Sequence, residues 1–201
     1  MLFVALPVGF RFRIFPFPPV PALWILASYC LWRLLRDPAF DRRLLWNPQS
    51  LPQNLASMAL IFAVVAALVW AGVYYFRPDL MFNFVRRAPL LWGLVMVFYP
   101  IASVYPQGII YRAFLFRRYS TLFPNPMLLI LVSAAVFAFV HIIFRNPISI
   151  ALTFAGGLLF AWRYQHSASL FTSSLEHALY GCLMFTIGLG EFFYKGARTP
   201  V

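Results

Sequence analysis

Residues 55–76 read LASMALIFAVVAALVWAGVYYF, an unbroken apolar stretch in which Ser57 is the only polar residue. A helix that crosses the hydrocarbon core of a bilayer needs about 20 such residues. Asn54 precedes the stretch, and we expect it to be the N-cap of the helix. Arg77-Pro78-Asp79 closes it. The stretch therefore predicts a membrane-spanning helix.

The composition of the whole chain predicts the same class of fold. Of the 201 residues, 63% are hydrophobic and 10% are charged, whereas soluble domains have about 45–50% apolar and about 25% charged residues. A soluble fold of this length cannot hide so much apolar surface. We predict an integral, multi-pass membrane protein with an all-α fold, a transmembrane helical bundle of about six spans.

Other apolar runs supply the remaining predicted helices. Asn125-Pro126 and Asn146-Pro147 are typical of helix starts, and Pro106 predicts a break between one span and a separate motif-bearing helix. The predicted spans are Ala22–Leu35, Leu55–Phe76, Ala88–Tyr105, Met127–Phe144, Ile148–Trp162 and Ala168–Leu189, and the motif-bearing helix is Gln107–Arg118.

The chain divides into two parts. Residues 1–87 contain an aromatic, proline-broken segment, which we expect at the membrane interface, and two spans. Residues 88–201 contain the other spans and a tail with Lys195 and Arg198. Two cysteines, at positions 30 and 182, fall in apolar runs; buried thiols are the expected state, and a disulfide between spans is the alternative.

The net charge of +11 comes from 16 Lys and Arg residues against five Asp and Glu residues. A basic chain can bind nucleic acid, but these arginines are scattered between apolar runs. This pattern is typical of residues that flank membrane spans and contact anionic lipid headgroups. We therefore predict anionic lipid headgroups as partners and no nucleic acid.

Three polar strings interrupt the apolar runs. His141 and His177 are two of the three histidines, and Arg112 follows Gln107-Gly108. Ionisable groups are costly in hydrocarbon, so such positions are candidate functional sites. The alternative is structural, with histidines that hydrogen-bond across helix interfaces and an arginine that extends to the membrane interface.

Glu176 is the only acidic residue deep in a predicted span. It adjoins His177 but points about 100° away from it on a helix, and we expect it to pair with Arg112 or Arg163. Two histidines and a carboxylate can bind zinc. The sequence has no His-Glu-x-x-His motif, and His166 falls in a predicted loop, so no metal or other cofactor is predicted.

In this order, the three strings resemble the CAAX-protease and bacteriocin-processing family of intramembrane endopeptidases. The family pattern is Glu-Glu-x-x-x-Arg, then Phe-x-x-x-His, then His-x-x-x-Asn. Here the strings are Gln107-Gly108-Ile109-Ile110-Tyr111-Arg112, Phe137 to His141, and His177 to Gly181. Residues 152–161 also look like those of bacterial members, which implies a bacterial inner membrane. The resemblance covers about residues 106–193.

The resemblance implies hydrolysis of a membrane-embedded or lipidated peptide. A glutamate of the first motif, together with His141, would activate water. The histidine at His177 and the asparagine of the third motif would stabilise the oxyanion. Arg112 would hold the carboxylates, with Phe137, Tyr111 and Glu176 as supporting residues.

The chain departs from the pattern at Gln107, Gly108 and Gly181. Glutamine cannot act as a general base, and glycine removes the second carboxylate. Gly181 removes an oxyanion donor, a change that typically costs about 10²–10³ in rate. The leading hypothesis is an intramembrane endopeptidase-like protein, with Glu176 as the candidate for a replacement carboxylate. The alternative is a catalytically silent relative that binds a membrane peptide or partner helix, and a small transporter or channel subunit ranks third.

Overall fold

A computed structural model describes residues 2–193 of the chain. The structure is 84% helical and has no strand in the described residues, so the predicted all-α class is confirmed. The predicted tail with Lys195 and Arg198 lies outside the described residues. The helices are α1 (Leu2–Arg11), α2 (Pro19–Leu35), α3 (Leu51–Phe76), α4 (Asn83–Arg87), α5 (Pro89–Tyr119), α6 (Pro126–Val140), α7 (Pro147–Ser167) and α8 (Leu170–Ile187).

Three helical segments are long and apolar enough to cross a membrane: Pro48–Phe76, Pro89–Tyr119 and Pro126–Phe144. Each contains one of the predicted spans or most of it. The helix α2 is apolar but has only 17 residues. These helices make the chain an integral membrane protein, and the number of six spans stays a prediction.

Two asparagines begin helices as predicted. The side-chain oxygen of Asn125 accepts a hydrogen bond from the amide nitrogen of Met127 at 2.9 Å. The side-chain oxygen of Asn146 accepts one from the amide nitrogen of Ser149 at 2.8 Å. In both cases a proline follows the asparagine, where its missing N–H is not needed. The starts of α6 and α7 are therefore determined by local sequence.

Two predicted boundaries are wrong. The helix α3 begins at Leu51, because a proline in its first turn needs no intrahelical hydrogen bond. Asn54 therefore lies inside α3, where its side chain donates to the carbonyl of Ser50 at 2.7 Å instead of capping the helix. The helix α7 continues to Ser167, so His166 is exposed on the last helical turn instead of in a loop.

The predicted break at Pro106 is also wrong, because α5 continues through it and includes the predicted motif-bearing helix. A proline removes one helical donor and leaves the carbonyl four residues earlier without its partner. That carbonyl belongs to Ala102, and it accepts a hydrogen bond from the indole of Trp24 in α2 at 3.0 Å. A neighbouring helix thus satisfies the freed group, as is common in membrane proteins.

The helix α8 contacts α3, α5 and α7, so it lies inside the bundle. The helices α6 and α7 pack along each other, and α2 packs against residues 109–114 of α5. The N-terminal α1 contacts α6 and the turn His141–Phe144. Cys30 and Cys182 are free thiols. This arrangement places the motif-bearing parts of α5, α6 and α8 next to one another.

Candidate active site

His141 is the first residue of the turn that follows α6. Its Nδ1 lies 2.7 Å from the carbonyl oxygen of Phe137. A carbonyl only accepts hydrogen bonds, so Nδ1 of the neutral ring carries the proton and Nε2 is left as an acceptor. The ring of Phe137 packs edge-on against the imidazole, with centroids 4.8 Å apart. Local structure therefore fixes both the orientation and the tautomer of this histidine.

His177 lies in the middle of α8 and is 6% exposed. The ring of Phe160 stacks on it at a centroid distance of 4.5 Å, and Phe137 contacts it at a right angle at 5.5 Å. Its Nε2 lies 3.5 Å from the hydroxyl of Tyr99. Its Nδ1 has no hydrogen-bond partner within residues 2–193. The imidazole is thus held by aromatic packing, with one ring nitrogen unused.

Arg112 does not extend to a membrane interface, and that alternative is wrong. Its side chain is 1% exposed, and its guanidinium carbon lies 4.6 Å from the ring centroid of Phe137 and 5.3 Å from that of Phe160. Its Nε and Nη2 have no hydrogen-bond partner in the described part of the chain. Arg112 is therefore a buried cation that contacts aromatic faces and lacks an anion there.

Phe137 is the common neighbour of the three ionisable groups. The rings of His141 and His177 and the guanidinium of Arg112 all contact it. Tyr111 packs against the same ring at 5.6 Å. The three motifs, which are about 30 to 40 residues apart in sequence, therefore meet around one phenylalanine.

The two positions where the family pattern has glutamate face different neighbours. Gln107 is partly buried and donates from Nε2 to the hydroxyl of Ser103 on its own helix at 2.7 Å. A Cβ at Gly108 would lie 2.9 Å from the Leu170 side chain and 3.0 Å from Oγ of Ser174. Ser174 precedes His177 by about one turn of α8. A side chain at position 108 would thus point toward the histidine helix.

Tyr99 occupies the space beside Gly181. A Cβ at Gly181 would overlap the Tyr99 ring, with the Cζ atom at 2.6 Å. The space that a larger residue would need at position 181 is therefore filled by an aromatic side chain from α5. Tyr99 is partly exposed, so it lies between His177 and the exterior of the bundle.

Glu176 forms an ion pair with Arg163, one of the two predicted partners. Both carboxylate oxygens accept from Arg163, at 2.8 Å to Nε and 3.0 Å to Nη2. The remaining nitrogen, Nη1, donates to Asn54 at 2.8 Å and to Ser57 at 2.9 Å. Glu176 is fully buried. This network connects α3, α7 and α8 and leaves no free carboxylate oxygen for chemistry.

Sequence reasoning missed Tyr99, Ser174 and Phe160. Tyr99 and Phe160 lie in apolar runs, where an aromatic residue carries no functional signal. Ser174 lies one turn before His177, and that spacing is a signal that could have identified it.

The other acidic side chains lie elsewhere. Asp37 pairs with Arg117 at 2.7 Å, and Asp41 accepts the amide of Arg43 at 2.9 Å. The remaining two, Asp79 and Glu191, lie near Arg77. Among residues 2–193, no group of three His, Cys, Asp or Glu side chains is placed to bind a metal ion.

A cavity of about 410 Å³ lies away from the histidines. Its walls include Phe40, Phe116, Arg117 and Tyr164. Neither His141 nor Arg112 lines it. The chemistry-bearing groups are instead close-packed inside the bundle, where electrostatic interactions are strong because water is excluded.

Residues 86–183 match the model of a protein family described as type II CAAX prenyl endopeptidase Rce1-like. Over this segment the chain is similar to that family. The matched segment contains all three motifs, the whole of α5 and α6, and most of α8. No curated protein and no solved structure matches the chain. This likeness suggests an intramembrane, CAAX-type protease function.

Proposed function

We propose that this Rce1-like protein binds a membrane-embedded or lipidated peptide without cleaving it. The binding site would be the cluster formed by Phe137, Arg112, His141 and His177. The observation that supports this proposal most directly is the buried guanidinium of Arg112, which has no acidic partner within residues 2–193. In the family pattern this arginine holds the glutamates of the first motif. Here those positions are Gln107 and Gly108.

The chemistry of hydrolysis needs a base for water and donors for the oxyanion. Neither Gln107 nor Gly108 can take up a proton, and Glu176 is fully engaged with Arg163. Gly181 offers no donor for the oxyanion. The loss of one such donor costs about 10²–10³ in rate, and the loss of the base adds to that cost.

The second candidate is residual hydrolysis with His141 as the only base. The observation that favours it is the contact between Nδ1 of His141 and the carbonyl of Phe137, which leaves Nε2 as an acceptor. This candidate requires wild-type cleavage that disappears in His141→Ala. Cleavage that disappears in Glu176→Gln would instead indicate that Glu176 supplies the carboxylate.

The experiment compares the wild type with Gly108→Glu and Gly108→Gln in liposomes that contain a fluorogenic hydrophobic peptide. Both substitutions meet the same contacts with Leu170 and Ser174, so they share any cost in packing and differ in charge. We expect no cleavage by the wild type or by Gly108→Gln, and measurable cleavage by Gly108→Glu. Wild-type cleavage equal to that of Gly108→Glu would contradict the proposal.

The location and the lipid contacts are part of the same proposal. We infer a bacterial inner membrane and several crossings from the resemblance and from the apolar helices. Exposed arginines between the helices, such as Arg36 and Arg43, suit anionic headgroups. Protein in liposomes with and without anionic lipid tests this contact, with tighter association expected when anionic lipid is present.

A further inference from the structure

We propose that Arg112, Ser174 and His177 form a binding site for the carboxylate group of a ligand. This inference rests on the proposed function, since it names the chemical group that the non-cleaving site recognises. The ligand carboxylate would take the place of the glutamate side chain that this chain lacks at position 108.

Four of the five unpartnered buried polar atoms in the described residues belong to Arg112, Ser174 and His177. Among residues 2–193, the buried side-chain nitrogen and oxygen atoms without a hydrogen-bond partner are Nε and Nη2 of Arg112, Oγ of Ser174, Nδ1 of His177 and the hydroxyl of Tyr180. A buried donor without an acceptor costs about 1–3 kcal/mol, and more when it is charged. A ligand that accepts from several of these groups would remove that cost.

The unpaired edge of Arg112 matches the geometry of a carboxylate. Nε and Nη2 are the two nitrogens through which Arg163 binds both oxygens of Glu176. In Arg112 the same two nitrogens have no partner. Planar, bidentate donors of this kind match carboxylates and phosphates, and the side chain that the family pattern places at position 108 is a carboxylate. The molecule therefore contains one occupied example of the contact and one copy of the same donor pair without its acceptor.

The surrounding groups add donors, and the acidic side chains in residues 2–193 have contacts elsewhere. The hydroxyl of Ser174 lies 3.0 Å from where a Cβ of residue 108 would be, so it borders the place of the missing side chain. The imidazole of His177 stacks on Phe160, which Arg112 also contacts. All five acidic side chains of the chain lie in the described residues and have contacts elsewhere.

Access to the site leads past Tyr99. This residue is partly exposed, and its hydroxyl lies 3.5 Å from Nε2 of His177. The π-helical turns of α5, Pro100–Val104 and Ile109–Phe114, follow Tyr99 and include Arg112. Such turns are frequent at functional sites, because they alter the direction of side chains within a helix. A ligand enters when the Tyr99 ring moves away from His177.

Two kinds of membrane molecule carry this group: a peptide with a free C-terminal carboxylate and a free fatty acid. The test measures binding of both to the full chain in nanodiscs, each beside its uncharged amide. The probes are a Leu/Ala-rich hydrophobic peptide with a free or amidated C-terminus, and palmitate or palmitamide. We expect at least one carboxylate to bind on the order of tenfold or more tightly than its amide, as for a charge-assisted hydrogen bond.

Two variants test which residues cause the tighter binding of carboxylate than of amide. Arg112→Met and Ser174→Ala should each reduce the preference for carboxylate over amide. Ser173→Ala is the matched control, since its hydroxyl already donates to the carbonyl of Phe160 and its loss should leave the preference unchanged. If Arg112→Met does not fold, Ser174→Ala decides, because its hydroxyl has no partner to lose.

Equal affinity of carboxylate and amide for the wild type would overturn the inference, and so would a preference that survives both Arg112→Met and Ser174→Ala. Cleavage of the peptide is recorded in the same samples. Wild-type cleavage would defeat the proposed function alone, whereas absent carboxylate preference without cleavage would defeat this inference alone.

Discussion

Two buried arginines of this bundle have opposite surroundings. Arg163 and Arg112 are each 1% exposed, yet Arg163 binds both oxygens of Glu176 and two further side chains, whereas Arg112 contacts the faces of Phe137 and Phe160. A buried charge is costly unless it is paired and hydrogen-bonded. The difference is that Arg163 has its anion within the bundle, whereas Arg112 has none among the described residues, and the proposed ligand carboxylate would supply it.

The largest effect should follow from Arg163→Met. This change leaves Glu176 as a buried carboxylate without its partner, which typically costs about 3–5 kcal/mol. Chemical unfolding in mixed micelles measures the loss. The double variant Arg163→Met, Glu176→Leu is the control, and it should recover most of the stability. A loss below about 1 kcal/mol for the single variant would remove the distinction between the two arginines.

Gly181→Ala, beside Tyr99, should have an intermediate effect on the free energy of unfolding. The new Cβ would overlap the Tyr99 ring, and overpacking of a core costs about 1–3 kcal/mol. Removal of the ring in Tyr99→Ala should make a second change at Gly181 nearly neutral. Thermal unfolding of the four variants in this cycle gives the coupling. Independent effects of the two substitutions would show that Tyr99 does not occupy this space.

Arg112→Met should change stability far less than Arg163→Met. The substitution removes the cost of unpaired donors, about 1–3 kcal/mol, and loses aromatic contacts worth about 0.5–2 kcal/mol. These opposing terms leave a net change between a loss of about 1 kcal/mol and a gain of about 2.5 kcal/mol. The same unfolding measurement applies. A loss as large as that of Arg163→Met would mean that Arg112 has a strong partner in the folded state.

Asp37→Asn should have the smallest effect on stability, because the ion pair that it removes, with Arg117, is exposed. Hydrogen bonds from Arg117 and from the Ala39 amide lower the pKa of Asp37 below its ordinary value. A lowered folded-state pKa means that the stabilisation is complete above the unfolded pKa, about 3.9, and is lost as pH falls through the folded pKa. Melting of the wild type should approach that of Asp37→Asn only at acidic pH, and a constant difference down to pH 2 would contradict this.

Local sequence determined several features of the fold. The apolar stretch at 55–76 predicted a spanning helix, and Asn125-Pro126 and Asn146-Pro147 predicted helix starts, because a cap is formed by residues next to it. Local sequence did not show whether the helix ends or continues at Pro106. Its helix continues through π-helical turns, and Trp24, far away in sequence, donates to the carbonyl of Ala102.

The candidate site was predictable as a set of residue types and spacings. The convergence of His141, His177 and Arg112 on Phe137 depends on tertiary packing, which a single sequence does not display. The choice of Glu176 between two arginines was open for the same reason. Asn54 and Ser57 complete the Arg163 network across more than 100 residues, a separation at which spacing carries no signal.

The most direct test of the central claim is a double-mutant cycle that compares Glu with Gln at position 108, with and without Arg112. Unfolding free energies would be measured for Gly108→Glu and Gly108→Gln, each alone and combined with Arg112→Met. We predict that glutamate is more stable than glutamine by about 1.5–3 kcal/mol when Arg112 is present, and less stable than glutamine when methionine replaces it. Equal stability of the glutamate and glutamine variants in both backgrounds would contradict the claim that Arg112 is a buried cation without its anion.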